Sequence, residues 1–181
     1  MNNLVPRRAL HAASAAVLLI PMLGGWDMLR LTLTSVAFVA LMIDLARIRS
    51  GTVGRRFERL APLFKPAEAG RLNGATWLCF GYALAAWFPP VAPVGGILVA
   101  AFADPAASLV GGWARRSHGK TVRGSLAALA VSFVVLWLVG VSWPAVLCGG
   151  VAGAVLERWP EPFDDNLLVA PGVACVIWLI A

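Results

Sequence analysis

The sequence predicts an all-α, polytopic membrane protein: one integral membrane domain over residues 1–181, with about seven transmembrane helices and a cytoplasmic N-terminus. Three observations lead there. Hydrophobic residues make up 60% of the chain and charged ones 13%, against roughly 45–50% apolar and about 25% charged in soluble domains. The apolar residues gather into separate runs, and the mean hydropathy is strongly positive. The basic residues lie in the short connections between those runs, where they set topology.

In order, the runs are Ala9–Gly25, Leu31–Ala46, Gly74–Pro90, Gly95–Trp113, Gly124–Trp143, Ala145–Leu156 and Leu167–Ala181. Several are shorter than the ~20 residues of an upright span, which leaves room for one or two re-entrant or broken helices. The first follows Arg7 and Arg8, and no small-residue cleavage pattern comes before Trp26, so it is expected to be kept as a span.

An N-in, C-out arrangement sends Arg7, Arg8, Arg47, Arg49, Arg55, Arg56, Arg59, Lys65, Arg71, Arg115, Arg116, Lys120, Arg123 and Arg158 to the cytoplasm and leaves only Arg30 outside. An even number of spans, or the inverse orientation, spoils that allocation. Of the eight tryptophans, all but Trp137 lie near a predicted span end, as interface anchors do. The localisation that follows is a bacterial inner membrane or an equivalent one, with any site facing the cytoplasm. The net charge of +6 suits anionic headgroups and phosphates better than nucleic acid, and no nucleic-acid partner is expected. Cys79, Cys148 and Cys175 stand alone in separate runs and read as small buried hydrophobes.

Asp104 stands out within an apolar segment, followed by Pro105. A carboxylate in a lipid interior costs about 2.5–3.5 kcal/mol on insertion scales, so it faces something polar. Pro105 removes a backbone donor and is expected to loosen the helix beside the acid, which suits a lined pocket. A hydrogen bond that merely joins two helices is the alternative. Gly119-Lys120-Thr121 is no Walker motif, since Ala114 stands where the first glycine is needed and no strand precedes it. It still offers a glycine, a cation and a hydroxyl, and Arg123-Gly124-Ser125 then opens a helix whose free amides favour anions. An ordinary topogenic loop explains the same residues.

Glu157, Glu161, Asp164 and Asp165 break the basic pattern. Such acids either cap a helix start or supply hard oxygen ligands to Mg2+, which takes one or two carboxylates and completes its shell with substrate phosphates. Neither histidine has metal-ligand spacing. His11, three residues after Arg8, suits a headgroup, a phosphate or a structural hydrogen bond.

One order of motifs runs through nearly the whole chain: Arg8-x-x-His11; Glu68-x-x-Arg71-Leu72-Asn73-Gly74-Ala75-Thr76; Asp104-Pro105-Ala106-Ala107-Ser108; Gly119-Lys120-Thr121-Val122-x-Gly124-Ser125; Glu157; Asp164-Asp165-Asn166. This order resembles the dolichol kinase and phytol kinase family, which includes CTP-dependent diacylglycerol kinases and is distantly related to phosphatidate cytidylyltransferases. Asp44 stands where that family often has glutamate, and Gly111-Gly112-Trp113 departs from its usual basic and aromatic residues.

The resemblance implies transfer of the terminal phosphate of a nucleoside triphosphate, usually CTP, to the hydroxyl of a membrane lipid alcohol, with Mg2+ as cofactor. On that basis Asp104, Asp164 and Asp165 are assigned to the metal or to orienting the lipid hydroxyl. Gly119, Lys120, Thr121, Arg123, Gly124, Ser125 and Ser108 are assigned to the triphosphate, and Arg71 and Asn73 to the nucleotide side. Arg8, His11 and Glu68 fall to substrate or phosphate. Asp104, Asp165 and Lys120 carry catalysis, with Asp104 the candidate general base. Two rivals remain. One is a cytidylyltransferase, although the Pro-Lys-Arg and paired-Asp C-terminal signature of that family is absent. The other is a small transporter in which Asp104 gates an ion path. Polyprenol, phytol-like alcohol and diacylglycerol are equally suitable acceptors. Gly149, Gly150 and Gly153 offer close-packing surfaces, either within the chain or in a homo-oligomer.

Overall fold

The computed structural model describes residues 5–50, 70–112, 120–158 and 164–180, and these are helical apart from short connections. Helix α1 (Val5–Ala13) passes through a 3-10 segment (Ser14–Leu19) into α2 (Ile20–Arg49). Then come α3 (Gly74–Ala86), α4 (Ala92–Gly112), α5 (Val122–Val139), α6 (Trp143–Arg158) and α7 (Asp165–Ile180). Three helical stretches are long and apolar enough to cross a membrane: Val5–Arg49, Ala92–Gly112 and Val122–Val139. Helices α3 and α7 are apolar but shorter.

The first stretch is not straight. Gly24 and Gly25 leave helical geometry, and Gly25 takes φ +73, a conformation that any Cβ would strain. The chain reverses there. Before the break, Arg8 reaches Ser108 and His11 reaches Asp104, so this limb runs antiparallel to α4. After it, Arg30 Nε donates to the Ala86 carbonyl at 3.2 Å and Thr76 Oγ1 donates to Asp44 at 3.1 Å, so the second limb runs antiparallel to α3. The turn therefore lies at the two glycines, a few residues before the connection read from the apolar runs.

Helix α4 is the centre of the bundle. Over half of its most apolar window is buried (56%), against 17% for Val5–Arg49 and 22% for α5. It packs on α5 and α7, with α1, α3 and α6 also against it. Small residues permit this crowding: Ala100, Ala101 and Ala103 on α4, Ala128 on α5 and Ala170 and Ala174 on α7 are all buried. Between them Ile97, Val99, Leu136, Val173 and Ile177 fill the remaining space. The outward faces are apolar as well, with Phe38, Met42, Val134, Leu138, Leu147 and Val155 exposed, the pattern of a surface covered by lipid.

Two expectations change, and one open alternative acquires an answer within the chain. Helix α4 stays helical through Pro105, which is buried, because packing on every side holds the helix despite one missing backbone donor. Cys148 is exposed on α6 instead of buried. Gly149, Gly150 and Gly153 are buried against Leu136, Phe133 and Val99 of the same chain, so their close approach serves intrachain packing.

The antiparallel packing gathers Arg8, Asp44, Ser108, Lys120, Glu157 and Asp165 at one end of the bundle. The other end holds Arg30, tied to Asp27 at 2.8 Å and lying 5.8 Å from the Trp87 ring centre, and the edge-to-face pair Phe88–Trp178.

Candidate functional site

The site grows from one face of α4. Residues four apart share a helical face, so Asp104 and Ser108 point the same way, toward α1. Arg8 crosses to Ser108 and donates from Nε and Nη2 to its hydroxyl at 3.0 and 2.9 Å and from Nη2 to its carbonyl at 2.9 Å. A cation at the last turns of α4 also complements the negative end of that helix. One turn deeper, His11 Nδ1 lies 3.3 Å from Asp104 Oδ2.

Two further acids converge on Asp104 from separate helices. Glu157 closes the last turn of α6, in phase with the buried Gly149 and Gly153, and so points inward with only 4% of its surface exposed. Asp165 opens α7. One oxygen from each of Asp104, Glu157 and Asp165 lies within 4.8 Å of the others. They edge a small pocket with room for about one water-sized body, whose apolar wall is Ala100, Ala103 and Val169 and whose other polar residue is Asn166.

Lys120, in the connection before α5, reaches into this group. Its Nζ is 2.6 Å from Asp165 Oδ2 and 3.4 Å from Glu157 Oε1. Burial works against the charge of Lys120, but the Asp165, Glu157 and Asp104 carboxylates outweigh it and hold the ammonium above the ordinary lysine range. Glu157 Oε2, by contrast, is buried with no hydrogen-bond partner, as is His11 Nε2. A buried carboxylate oxygen left unpaired is costly and rare in a native structure, and a cation or a retained proton would satisfy it. The donor set is all oxygen and multiply charged, which suits a hard divalent ion such as Mg2+.

The sequence-predicted residues divide into two groups. Asp104, Asp165 and Lys120 come together, with His11 beside Asp104. Asp164 does not join them: its Oδ1 accepts from the Asn166 backbone N at 3.0 Å and from Asn166 Nδ2 at 2.7 Å, so it caps α7. Burial, and then the adjacent Asp165 charge, push the Asp164 carboxyl above the usual range, with the Asn166 hydrogen bonds opposing them. Asn73 likewise caps α3, accepting from Thr76 N at 2.9 Å, and Thr121 caps α5, accepting from Gly124 N at 3.1 Å.

Gly124 serves packing, since a Cβ there would come within 2.9 Å of the Ala107 carbonyl on α4. Ser125 accepts from Arg158 Nη1 at 3.0 Å, and Arg123 is exposed. Arg71 is exposed too, and its carbonyl accepts from Arg47 Nη2 at 2.6 Å. Gly119 and Glu68 lie outside the described residues.

Asp44, which the sequence marks only as a departure from a family pattern, proves to be the best-connected buried acid. Its Oδ1 accepts from Arg47 Nε at 2.6 Å, and its Oδ2 from Asn73 N at 2.7 Å and from the Thr76 hydroxyl. The signal was its helical phase: Asp44 continues the buried face of Leu29, Leu33 and Ala37. The corresponding signal for Glu157 was the glycine spacing before it.

No family model, curated protein or solved structure matches this chain.

Proposed function

We propose that this protein is a membrane-embedded lipid-alcohol kinase that moves the terminal phosphate of a nucleoside triphosphate, CTP by its resemblance to the dolichol and phytol kinases, onto a lipid hydroxyl. The chain crosses the membrane seven times with its N-terminus in the cytoplasm, and the site opens at the cytoplasmic boundary. One observation supports this reading above the rest: Asp104, Glu157, Asp165 and Lys120, from four separate segments, converge at the basic end of an apolar bundle.

Phosphoryl transfer demands little covalent chemistry from a protein; it demands positioning and the neutralisation of phosphate charge. Asp104, Glu157 and Asp165 would hold Mg2+, which when bound would neutralise the phosphates. Lys120 supplies a further positive charge from the loop side, and its raised pKa keeps it protonated throughout the physiological range. Asp104, with His11 at its Oδ2, takes the proton of the acceptor hydroxyl as that oxygen bonds to the terminal phosphorus and the nucleoside diphosphate leaves. Ala100, Ala103 and Val169 offer the first carbons of the acceptor an apolar contact beside the acids. The outward apolar faces leave the rest of its tail in lipid.

The test uses purified full-length protein in lipid nanodiscs with Mg2+, a pool of polyprenol, phytol and diacylglycerol, and CTP labelled in either the terminal or the alpha phosphate. Label reaching a lipid alcohol from the terminal phosphate alone is the expected result. Lipid label from the alpha phosphate, with phosphatidic acid supplied, would replace the kinase with a cytidylyltransferase. No label from either would remove both.

A further inference from the structure

We infer that Lys120 makes the site selective for a divalent cation arriving together with a polyphosphate, and against the same cation arriving alone. The argument starts from charge. Three carboxylate oxygens lie within 4.8 Å of one another where two of the acids are largely buried, Glu157 at 6% and Asp165 at 16% side-chain exposure. Like charges at that spacing repel strongly when water is partly excluded, so such a cluster needs a counter-charge or a retained proton to stay together.

Lys120 is that counter-charge. Its ammonium binds Asp165 Oδ2 at 2.6 Å and approaches Glu157 Oε1 at 3.4 Å. Of the other cations at this end of the bundle, Arg8 is engaged on Ser108, Arg158 on Ser125 and Arg47 on Asp44. His11 touches only Asp104 within the cluster.

Lysine carries its charge on a flexible four-carbon stem, and Lys120 lies outside the helices, so the ammonium can leave without unpacking the bundle. A free divalent cation competes for the oxygens that Lys120 holds and, on binding, strands the ammonium without a partner. A cation that brings a polyphosphate offers the displaced ammonium a new anion within reach. Lys120 thus opposes the first event and assists the second. By linkage, the polyphosphate then raises affinity for the cation by the same factor as the cation raises affinity for the polyphosphate.

This inference rests on the kinase reading only for the identity of the polyphosphate. Its test reads binding and not turnover. Mn2+ binding to full-length protein in nanodiscs is followed by electron paramagnetic resonance, alone and with a β,γ-methylene CTP analogue, for wild type, Lys120→Gln, Lys120→Arg and Glu157→Gln. In wild type the analogue is expected to tighten Mn2+ binding by about 10-fold or more, within the range usual for coupled sites. Lys120→Gln, without analogue, is expected to bind Mn2+ about 10-fold tighter than wild type and to lose most of the coupling. Lys120→Arg keeps the competition, and Glu157→Gln weakens Mn2+ in both conditions.

If Lys120→Gln binds Mn2+ no tighter than wild type while the analogue still couples, the exchange is overturned and the kinase reading stands. Should Lys120→Gln bind Mn2+ tightly while the analogue never couples in wild type, the counter-ion role holds and the nucleotide reading falls. If no variant binds Mn2+, both fall.

Discussion

Lys120 and Asp165, 45 residues apart in sequence, meet at 2.6 Å between Nζ and Oδ2 and join the connection before α5 to the first residue of α7. Glu157 of α6 stands 3.4 Å from the same ammonium. Three elements that share no local sequence are therefore tied at one point beside Asp104 of the central helix. That knot decides which residues matter for the proposed chemistry.

Removing a carboxylate from it is expected to lower the proposed phosphoryl transfer with little effect on folding. Asp104→Asn and Asp165→Asn should each reduce transfer of terminal-phosphate label to the lipid by about 100-fold or more, the scale of losing one preorganised electrostatic group. Asp164→Asn, which alters a helix cap, should keep activity within several-fold of wild type. Equal losses in Asp164→Asn and Asp165→Asn would show that the two neighbours share one role.

Glu157 is expected to act through the metal. Chelation should abolish activity, and added Mg2+ should restore it. Glu157→Gln should raise the Mg2+ concentration needed for half-maximal activity by about 10–100-fold, of the order seen when support around a metal is lost. A Glu157→Gln variant with an unchanged Mg2+ requirement would exclude it from the ligand set.

Asp44 is a structural acid. With 1% exposure it satisfies Arg47, the Asn73 backbone and Thr76 together, so Asp44→Ala takes the carboxylate from the Arg47 guanidinium and leaves two donors, Asn73 N and the Thr76 hydroxyl, unpaired. Breaking such a pair from one side costs about 3–5 kcal/mol. Denaturant or thermal unfolding in detergent should show the loss, with Asp44→Glu recovering part of it. A melting point unmoved in Asp44→Ala would contradict the role.

Thr121 separates capping from phosphate binding. Thr121→Ala should cost about 1 kcal/mol of stability, and Thr121→Asn should restore it, because asparagine caps equally well. Nucleotide affinity should follow stability across the pair. If Thr121→Asn folds like wild type but binds the CTP analogue poorly, the hydroxyl touches phosphate after all.

Topology is checked by labelling single cysteines in a chain whose Cys79, Cys148 and Cys175 have been replaced by alanine. Gly70→Cys should react with an impermeant maleimide only from the cytoplasmic side, and Ser142→Cys only from the opposite side. Labelling of both from one side would mean that fewer crossings separate them than the seven-span reading requires.

The sequence by itself determined the class of the molecule and the prominence of Asp104. An apolar chain interrupted by short basic connections has no soluble solution, and one acid amid lipid-compatible residues is conspicuous without any fold. It also marked Lys120 and Asp165, because each is a charge beside a helix start. What only the tertiary structure decided was partnership. Asp164 and Asp165 are adjacent in sequence, yet the start of α7 turns one to cap the helix and the other toward Lys120, a choice made by helical phase. Glu157 reads as part of an acidic turn until the packing of α6 through its glycines carries it inward to Asp104. Gly124, Thr121 and Asn73 resemble ligand residues in a string of letters, whereas in space their close approaches and hydrogen bonds are spent on helix contact and helix caps. Periodicity and charge act along the chain and can be read there, but which carboxylates share a counter-ion depends on distances across helices, and those exist only once the bundle has packed.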